Sequence, residues 1–453
     1  TISFDSAPDG TISPQIHRGN IAAANAETGL LSVSLPKIDD THAGTAVINT
    51  QGELYGMLLP GGRGVLSSAL QRMALRAQKN VPIDPIKIGV ILGRGVLVDA
   101  KTKGAYPTIS AALLAIKKGE APKADTSLYL AARDRSVAPK ESDKVVVKVM
   151  PGTYKEPKTL SLPSDISLSG SGPDNTLLVG SDPEKPVLLI QGANNTMVSG
   201  FRITPAPLQN LKAPTVIVSS GKQVILLGNA IEAKGGVGVW VHNTSDARLF
   251  GNTFGRGQIR AFACDRSRVN LEANAFLGDW PHGVSVDKAC AGDIRRNLFY
   301  SNKTAVHVSA LAGRLKIERN SFIRSDVAVK SASASLQMTD NLFYECAYGL
   351  NTSVVLDSRR VGRNAVWKSK MFAAGKPLHT LDIVRTEPRF VSAESYDFRI
   401  QAGQAQLNTS LTEEGADLGA FNKGEYVGQY TQQLVRSMGA ALNEPELAKS
   451  WGM

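Results

Sequence analysis

Cysteine is scarce in this chain of 453 residues. Only Cys264, Cys290 and Cys346 occur, and no two of them stand in a CxxC spacing. Three cysteines are too few for a disulfide framework, and their spacing excludes a structural zinc site built from thiolates. The count allows one disulfide, which would leave one thiol unpaired.

Long hydrophobic runs are also lacking. No stretch approaches the roughly 18 uninterrupted apolar residues that a membrane-spanning helix needs, so we expect no membrane span. The chain begins at Thr1 without a charged segment followed by an apolar one. We therefore expect a processed or trimmed chain, in which any export signal would have been upstream.

Acidic residues are outnumbered by basic ones. Lys and Arg total 51 against 40 Asp and Glu, which gives a net charge of +11, while 42% of the residues are hydrophobic. The hydrophobic content excludes disorder and allows a large core. The excess positive charge favours an anionic partner such as an acidic polysaccharide, a nucleic acid or a lipid headgroup, although it also suits a surface kept basic for solubility.

A short unit, Asn followed two residues later by Phe, Ile or Val, recurs through the second half of the chain. The Asn residues are separated by 23, 22, 23, 23, 21 and 23 positions. They are Asn229, Asn252, Asn274, Asn297, Asn320, Asn341 and Asn364. A period of 21–23 residues predicts an all-β fold, a right-handed parallel β-helix (a solenoid) of about ten rungs. We expect each Asn to occupy a left-handed turn and to pair with the next Asn, and the following apolar residue to enter the core.

Each unit continues into a strand of alternating pattern, which predicts the direction of its side chains. The expected inward column is Val239, Ala261, Val284, Val306 and Val329. The expected outward column is Trp240, Phe262, Ser285, His307 and Lys330, followed by a second one of His242, Cys264 and Asp287. A column of mostly small residues, Gly238, Arg260, Gly283, Ala305 and Ala328, would leave room for a ligand or accommodate neighbouring bulk.

Two segments before the repeat carry a family resemblance. Pro151-Gly152-Thr153-Tyr154-Lys155-Glu156 and Gly170-Ser171-Gly172-Pro173-Asp174-Asn175-Thr176 follow a strand and an amphipathic helix. This succession resembles the entrance of pectin methylesterases and, more broadly, the pectin-lyase-like β-helix superfamily. The segments 388–391, 396–400 and 415–421 resemble the closing part of secreted β-helix proteins. The resemblance implies a β-helix over 96–421, with glycines for turns and a helix capping the open rung.

The same resemblance argues against methylesterase activity. Pectin methylesterases use two carboxylates, two glutamines and an arginine, and the corresponding motif positions fall near Gly235, at Gln258-Ile259 and near His282. Paired carboxylates in different protonation states are needed for that mechanism. Neither carboxylate is found at these positions, so we expect no pectin methylesterase activity.

Other chemistry of acidic sugars stays open. Lyases and epimerases remove a C5 proton with a basic side chain and neutralise the sugar carboxylate with a cation. The candidate catalytic residues are His282, Asp287 and His307, and the loop 278–283 distantly suggests the His-containing motif of mannuronan epimerases. The candidate ligand-binding residues are Trp240, His242, Arg260, Phe262 and Lys330. The sequence indicates no cofactor and no metal site.

The flanking regions differ from the repeat. Residues 1–62 predict a small β-barrel-like module with a hairpin over 43–58, and they weakly resemble the second barrel of trypsin-like proteases. The nucleophile position there falls at His42, so no protease activity is expected. We expect a helical connector over 63–95, an exposed insertion over 118–143, and a helical tail over 422–453.

Three functions follow. The first is a secreted, periplasmic or cell-surface protein that binds an acidic polysaccharide without catalysis. The second is a lyase, epimerase or hydrolase of such a glycan with a rearranged site. The third is a structural rod that self-associates in a surface assembly. No nucleic-acid partner is expected.

Overall fold

The computed structural model describes two compact units. The first consists of the backbone of seven strands between residues 2 and 66. The second comprises residues 94–119, 145–401 and 419–420, with breaks at 102–104, 207–212, 234–235, 258, 376–382 and 394–396. No helix in these ranges is long and apolar enough to cross a membrane.

The amino-terminal unit is a seven-stranded antiparallel sheet, which confirms the predicted β module. Its strands are Ile2–Ser6, Ile12–Ile16, Asn20–Asn25, Leu30–Ser34, Ala46–Ile48, Leu54–Leu59 and Arg63–Leu66. The predicted hairpin is present, since Ala46 pairs with Met57. The predicted helical connector is wrong at its start, because Arg63–Leu66 pairs as a strand with Leu54–Leu59. His42 and the rest of the connector up to residue 93 lie outside the described residues.

The second unit is a parallel β-helix of three sheets with eleven, eleven and ten strands, close to the predicted ten rungs. The first sheet contains Arg94–Val98, Val145–Val149, Ile166–Ser169, Met197–Ser199, Val224–Leu227, Asp246–Phe250, Arg268–Glu272, Ala291–Arg295, Leu315–Glu318, Leu336–Thr339 and Val361–Gly362. The second contains Gly152–Glu156, Thr176–Gly180, Arg202–Thr204, Ala230–Ala233, Thr253–Gly257, Ala275–Leu277, Leu298–Tyr300, Ser321–Ile323, Leu342–Tyr344, Asn364–Trp367 and Ile383–Val384. The third contains Leu160–Ser161, Leu188–Gln191, Val216–Ser219, Val237–His242, Arg260–Cys264, His282–Val286, Thr304–Val308, Val327–Ser331, Tyr348–Thr352 and Met371–Gly375.

The seven Asn residues form a buried ladder at the turn between the first and second sheets. Asn297, for example, donates its side-chain amide to Oδ1 of Asn320 at 3.0 Å and to the carbonyl oxygen of Leu271 at 2.9 Å. Two residues further along, phenylalanines stack in the core; the rings of Phe276 and Phe299 are 4.8 Å apart and nearly parallel. Both predictions from the repeat are confirmed, because an identical amide or ring on every rung can satisfy its neighbour.

The expectation that the Asn residues themselves adopt the left-handed conformation is wrong. The residue before each Asn has the positive φ, as at Ala273, Arg296 and Arg319, where φ is 54°, 55° and 53°. The left-handed residue turns the chain, and the Asn that follows is thereby directed inward, where its amide bonds along the ladder.

The capping helix α1, Ile109–Lys117, explains the segment that resembles the methylesterase entrance. Thr108 caps the helix, and the buried carboxylate of Glu156 accepts the backbone N–H of Ile109 at 3.0 Å and contacts the hydroxyl group of Ser110. Tyr154 donates its hydroxyl to the carbonyl oxygen of Met150 at 2.8 Å. A carboxylate is favourable at a helix amino terminus. The segment therefore attaches the cap to the first rungs.

Part of the outer face of the second sheet is covered by residues 390–400. The strands Phe390–Ser392 and Asp397–Ile400 form a hairpin whose apolar side chains bury Leu277, Leu298 and Ile323. Further on, the backbone N–H of Ala420 donates to Oγ of Ser321 at 2.9 Å. A short 3₁₀ helix, Ser358–Arg360, precedes this region. The predicted tail helix lies outside the described residues.

One disulfide joins Cys264 to Cys290 on adjacent rungs, with Cα atoms 5.9 Å apart, and Cys346 is buried as a free thiol. The single disulfide that the cysteine count allowed is therefore present.

Candidate functional site

The third sheet carries the predicted site, but its inward column differs from the predicted one at a single rung. Phe262 pairs with Val239 on one side and Val284 on the other, and its ring is fully buried in the core. Phe262 is therefore not a binding platform, and Ala263 takes its place on the outer face. Counting ten residues from Asn229, Asn252 and Asn274 reaches Val239, Phe262 and Val284, whereas the same count from Asn297 reaches the outward His307.

The column of small residues is buried as well, so it leaves no room for a ligand. A Cβ atom on Gly238 would lie 2.4 Å from the carbonyl oxygen of Ala261, and one on Gly283 would lie 2.7 Å from that of Ala305. Small residues are required there because neighbouring rungs approach closely. Arg260 does not belong to this column, since it pairs with His282 on the outer face.

The second predicted column also needs correction at the same rung. Cys264 faces the core, where it is fully buried and joined to Cys290. Asp265, the next residue, lines the outer face together with Asp287. The shift of one residue therefore moves Ala263 and Asp265 outward in place of Phe262 and Cys264.

These outward residues line an open groove of about 740 Å³, which we call the third-sheet groove. Its lining residues are Pro214, Val237, Trp240, Arg260, Ala263, Asp265, Asp287, Lys288, Ser309, Ala310 and Leu311. His307 and Lys330 continue the outer column of Trp240 and Ala263. The groove thus runs across successive rungs of the solenoid.

Two of the residues that line the groove form an ion pair. Nη1 of Arg260 is 3.1 Å from Oδ2 of Asp287, and the hydroxyl of Ser285 donates to the same oxygen at 3.1 Å. The side chains of Arg260 and Asp287 are each about one third exposed, at 37% and 31%. Both groups therefore remain accessible from the groove.

Two imidazole rings lie beside this pair. The ring centroids of His282 and His307 are 5.0 Å apart. Burial, followed by the positive charges of His307, Arg260 and Lys330, lowers the pKa of His282 to about 4. Burial also lowers the pKa of His307, although Asp287 opposes this effect. Nδ1 of His282 is buried without a hydrogen-bond partner in the described part of the chain. At neutral pH both rings are therefore uncharged.

An aromatic platform lies one rung from Arg260. The rings of Trp240 and His242 stack at a centroid distance of 4.1 Å and an angle of 16°. At the other end, Lys330 is exposed and makes no ion pair or hydrogen bond within the described ranges. An aromatic face and a free ammonium group therefore flank the imidazoles.

The structure thus brings together Arg260, His282, Asp287, His307 and Lys330, with Trp240 and His242 next to them, and removes only Phe262 from the predicted set. The sequence analysis did not predict two neighbouring groups. Ser285 donates a hydrogen bond to Asp287, and Lys288 is an exposed cation in the turn after His282–Val286. A position two residues before a candidate carboxylate, on the same strand face, is a signal that could have found Ser285.

Of the positions compared with pectin methylesterases, Ile259 is 43% exposed and His282 lies beside the groove. Gly235 and Gln258 lie outside the described residues. The described positions therefore supply no carboxylate where the resemblance would require one.

The sequence model of a family described as periplasmic copper-binding protein (NosD) matches residues 180–346, which is less than half of the chain. No group of three or more His, Cys, Asp or Glu side chains within the described ranges is arranged to hold a metal ion. These residues therefore do not fit a copper site, and we derive no chemistry from one. The comparison with curated proteins found no match.

Several solved structures are similar to this chain. A pectate lyase matches with 12% identity and a TM-score of 0.47, covering 74% of this chain and 98% of its own. A pectin methylesterase from carrot matches with 11% identity and a TM-score of 0.32, covering 65% and 86%. The A-module of a mannuronan C-5 epimerase from Azotobacter vinelandii matches with 13% identity and a TM-score of 0.30, covering 67% and 99%. The fold of the second unit, taken from its own sheet order, is a parallel β-helix.

Proposed function

We propose that the chain binds an acidic polysaccharide along the third-sheet groove. The observation that carries the proposal is the combination, on one accessible face, of a stacked aromatic pair at Trp240 and His242 with the cations Arg260 and Lys330. Aromatic faces pack against sugar rings, an ammonium group pairs with a carboxylate, and the guanidinium donors of Arg260 that Asp287 leaves unoccupied can bind sugar hydroxyl groups.

The repeat of the solenoid suits a polymer. Rungs are about 4.8 Å apart, so the outer groups recur at a spacing close to that of successive sugar units. A chain that continues from the groove along the outer column would pass Trp240, His307 and Lys330 in turn. The stretch 256–330 holds 13 Lys and Arg against 7 Asp and Glu, a difference of 13 − 7 = +6, which favours an anionic glycan.

An oxidising compartment outside the cytoplasm is part of the proposal. The disulfide between Cys264 and Cys290 supports it, since such bonds persist in secreted and periplasmic proteins. The family whose model matches residues 180–346 is described as periplasmic. We propose a secreted, periplasmic or cell-surface location.

The proposal includes the absence of pectin methylesterase activity. No described position in the aligned motifs carries a carboxylate nucleophile, and His282 stands where one would be required. We expect no release of methanol from methylated pectin above a buffer blank. Turnover that is abolished by changing His282 would contradict this part of the proposal.

Binding is tested by titrating uronate oligomers against the parent protein and an Arg260→Ala, Lys330→Ala double variant at low and high salt. The matched control is Arg248→Ala, Arg268→Ala, which removes two exposed cations from the first sheet. We expect weakened binding only in the first double variant, and weaker binding by the parent at high salt, because exposed charges are screened over about 8–10 Å. Equal affinity of the parent and both double variants would show that the glycan binds elsewhere on the protein. If none of the three proteins binds uronate oligomers, the structural-rod function is favoured.

A second candidate function is a lyase or epimerase of a uronate polymer, and the unprotonated His282 favours it. A neutral imidazole can remove the C5 proton of a uronate while a cation such as Lys330 stabilises the carboxylate. In a lyase, the C4–O bond then breaks as the C4–C5 double bond forms, and the departing oxygen takes a proton. In an epimerase, a proton returns to the opposite face.

The two functions are separated by following ultraviolet absorbance of unsaturated uronate and deuterium incorporation at C5. We expect neither signal for a binding protein. Either signal, lost in His282→Gln, would instead establish catalysis at this site.

A further inference from the structure

The charge of Arg260 is already compensated within the protein. Its Nη1 lies 3.1 Å from Oδ2 of Asp287, and that carboxylate is held in place by the hydroxyl of Ser285. The carboxylate oxygen occupies one donor of the guanidinium fork, in the position that a uronate carboxylate would take. The other donors of Arg260 remain for uncharged hydroxyl groups.

Two exposed cations on this face lack such a partner. Lys288 and Lys330 make no ion pair or hydrogen bond through their side chains within the described ranges. Lys288 follows the strand His282–Val286, and Lys330 belongs to the strand Val327–Ser331, two rungs further on. The strand between them, Thr304–Val308, presents His307 outward and contains no residue with a permanent charge, and the exposed Lys303 precedes it. Two ammonium groups without an ion-pair partner in the described ranges therefore lie two rungs apart, and Lys330 is in register with Ser285, three residues before Lys288.

We infer that Asp287 determines the specificity of the groove, by filling the carboxylate position beside Arg260 and so favouring polysaccharides whose uronates are separated by uncharged sugars. This inference rests on the proposed function. A homopolyuronate presents a carboxylate at about every rung, since the rung spacing is about 4.8 Å. One of these carboxylates would meet the like charge of Asp287, whereas an alternating polymer can place its carboxylates at Lys288 and Lys330 and an uncharged unit between them.

The test compares two probes of equal length, oligogalacturonate as the homopolymer and hyaluronan oligosaccharides as the alternating polymer. Calorimetric titration against the parent protein is expected to show tighter binding of the hyaluronan oligosaccharide. In Asp287→Asn, affinity for oligogalacturonate should rise about fivefold, the effect of roughly one partly exposed ion pair. The affinity of Asp287→Asn for oligogalacturonate should also fall more steeply with salt concentration than that of the parent, by about one additional released ion. Hyaluronan binding should change little.

Asp293→Asn is the matched control, because it removes the same charge from the outer face of the first sheet. We expect it to bind both probes like the parent. Asp287→Ser, a smaller neutral residue, serves as a second variant should Asp287→Asn shift the melting temperature.

Each outcome is decisive. A parent protein that prefers oligogalacturonate, or an Asp287 variant that binds both probes like the parent, overturns the inference while the proposed function stands. Binding of neither probe by any of the proteins overturns the proposed function and the inference with it. If Asp287 had a purely structural role, its replacement would weaken the binding of both probes equally, and this result would also contradict the inference.

Discussion

Nδ2 of Asn297 donates to Oδ1 of Asn320 at 3.0 Å, and both side chains are fully buried. Oδ1 of Asn297 in turn accepts the backbone N–H of Asn274 at 2.9 Å. Each member of the ladder is thus donor and acceptor at once, so it satisfies backbone groups that the turn leaves without a strand partner.

Replacing Asn297 by Ala should lower the free energy of unfolding by roughly 3 kcal/mol. The change removes the acceptor of the Asn274 N–H and the side-chain donor to the carbonyl oxygen of Leu271. Each buried group left unpaired costs about 1–3 kcal/mol, partly offset by relaxation. Urea unfolding measures the loss. Asn351→Ala, on the outer face of the third sheet, is the control and should lie within about 0.5 kcal/mol of the parent. Equal stability of both variants would contradict the role of the ladder.

Glu156→Gln should destabilise the cap by about 1 kcal/mol, because the buried carboxylate interacts with the amino terminus of α1 and with its first N–H groups. Hydrogen exchange of the amides in Ile109–Lys117 measures the effect and should become faster. The exposed Glu184→Gln is the matched control. Unchanged exchange in Glu156→Gln would show that the carboxylate does not hold the helix.

Val306→Asp should disrupt the solenoid, since Val306 faces the core between Val284 and Val329 and is fully buried. Burying an unpaired charge costs several kcal/mol. The variant is expected to be insoluble or to melt at a much lower temperature. Val355→Asp, at a side chain that is 68% exposed, should melt like the parent. A soluble Val306→Asp protein with an unchanged melting temperature would mean that the register of the third sheet is wrong.

The stability of the protein should fall as the pH is lowered from about 6.5 toward 4. The pKa of His282 is lowered in the folded protein to about 4. Between pH 6.5 and 4 the imidazole is therefore protonated in the unfolded chain but not in the folded one, and this proton binding favours unfolding. His282 contributes its full stability above the unfolded pKa and loses it as the pH approaches the folded one.

Urea midpoints measured across this interval test that assignment. In His282→Gln the pH dependence should be shallower, and the imidazole of His282 should titrate near pH 4 in nuclear magnetic resonance spectra. Parallel curves for the parent and the variant would contradict the assignment.

The repeat made the solenoid predictable. Asn recurs every 21–23 residues. When the same residue type stands at the same place on each rung, the Asn amides can hydrogen-bond to one another and the Phe rings can stack, which a solenoid allows. The segment 151–156, which resembles the entrance of pectin methylesterases, likewise predicted the capping helix, because that resemblance concerns the turns of the backbone.

The groove was predictable only in part. The turns between the second and third sheets differ in length, so alternation within one strand does not fix which residue faces outward, and Phe262 was misplaced by one position. The pairing of Arg260 with Asp287 spans 27 residues and depends on the position of two side chains on adjacent rungs. No local sequence pattern predicts such a pair. The Arg260–Asp287 ion pair nevertheless changes the groove, because the carboxylate compensates the positive charge of the guanidinium.

The most direct test of polysaccharide binding at the third-sheet groove follows the indole N–H signals of the four tryptophans during separate titrations with oligogalacturonate and with hyaluronan oligosaccharides. Trp240 lines the groove, whereas Trp280 is fully buried in the core. We predict that the signal of Trp240 shifts and saturates while that of Trp280 stays in place. A Trp240 signal that does not move at saturating glycan, or that moves together with Trp280, would contradict the account.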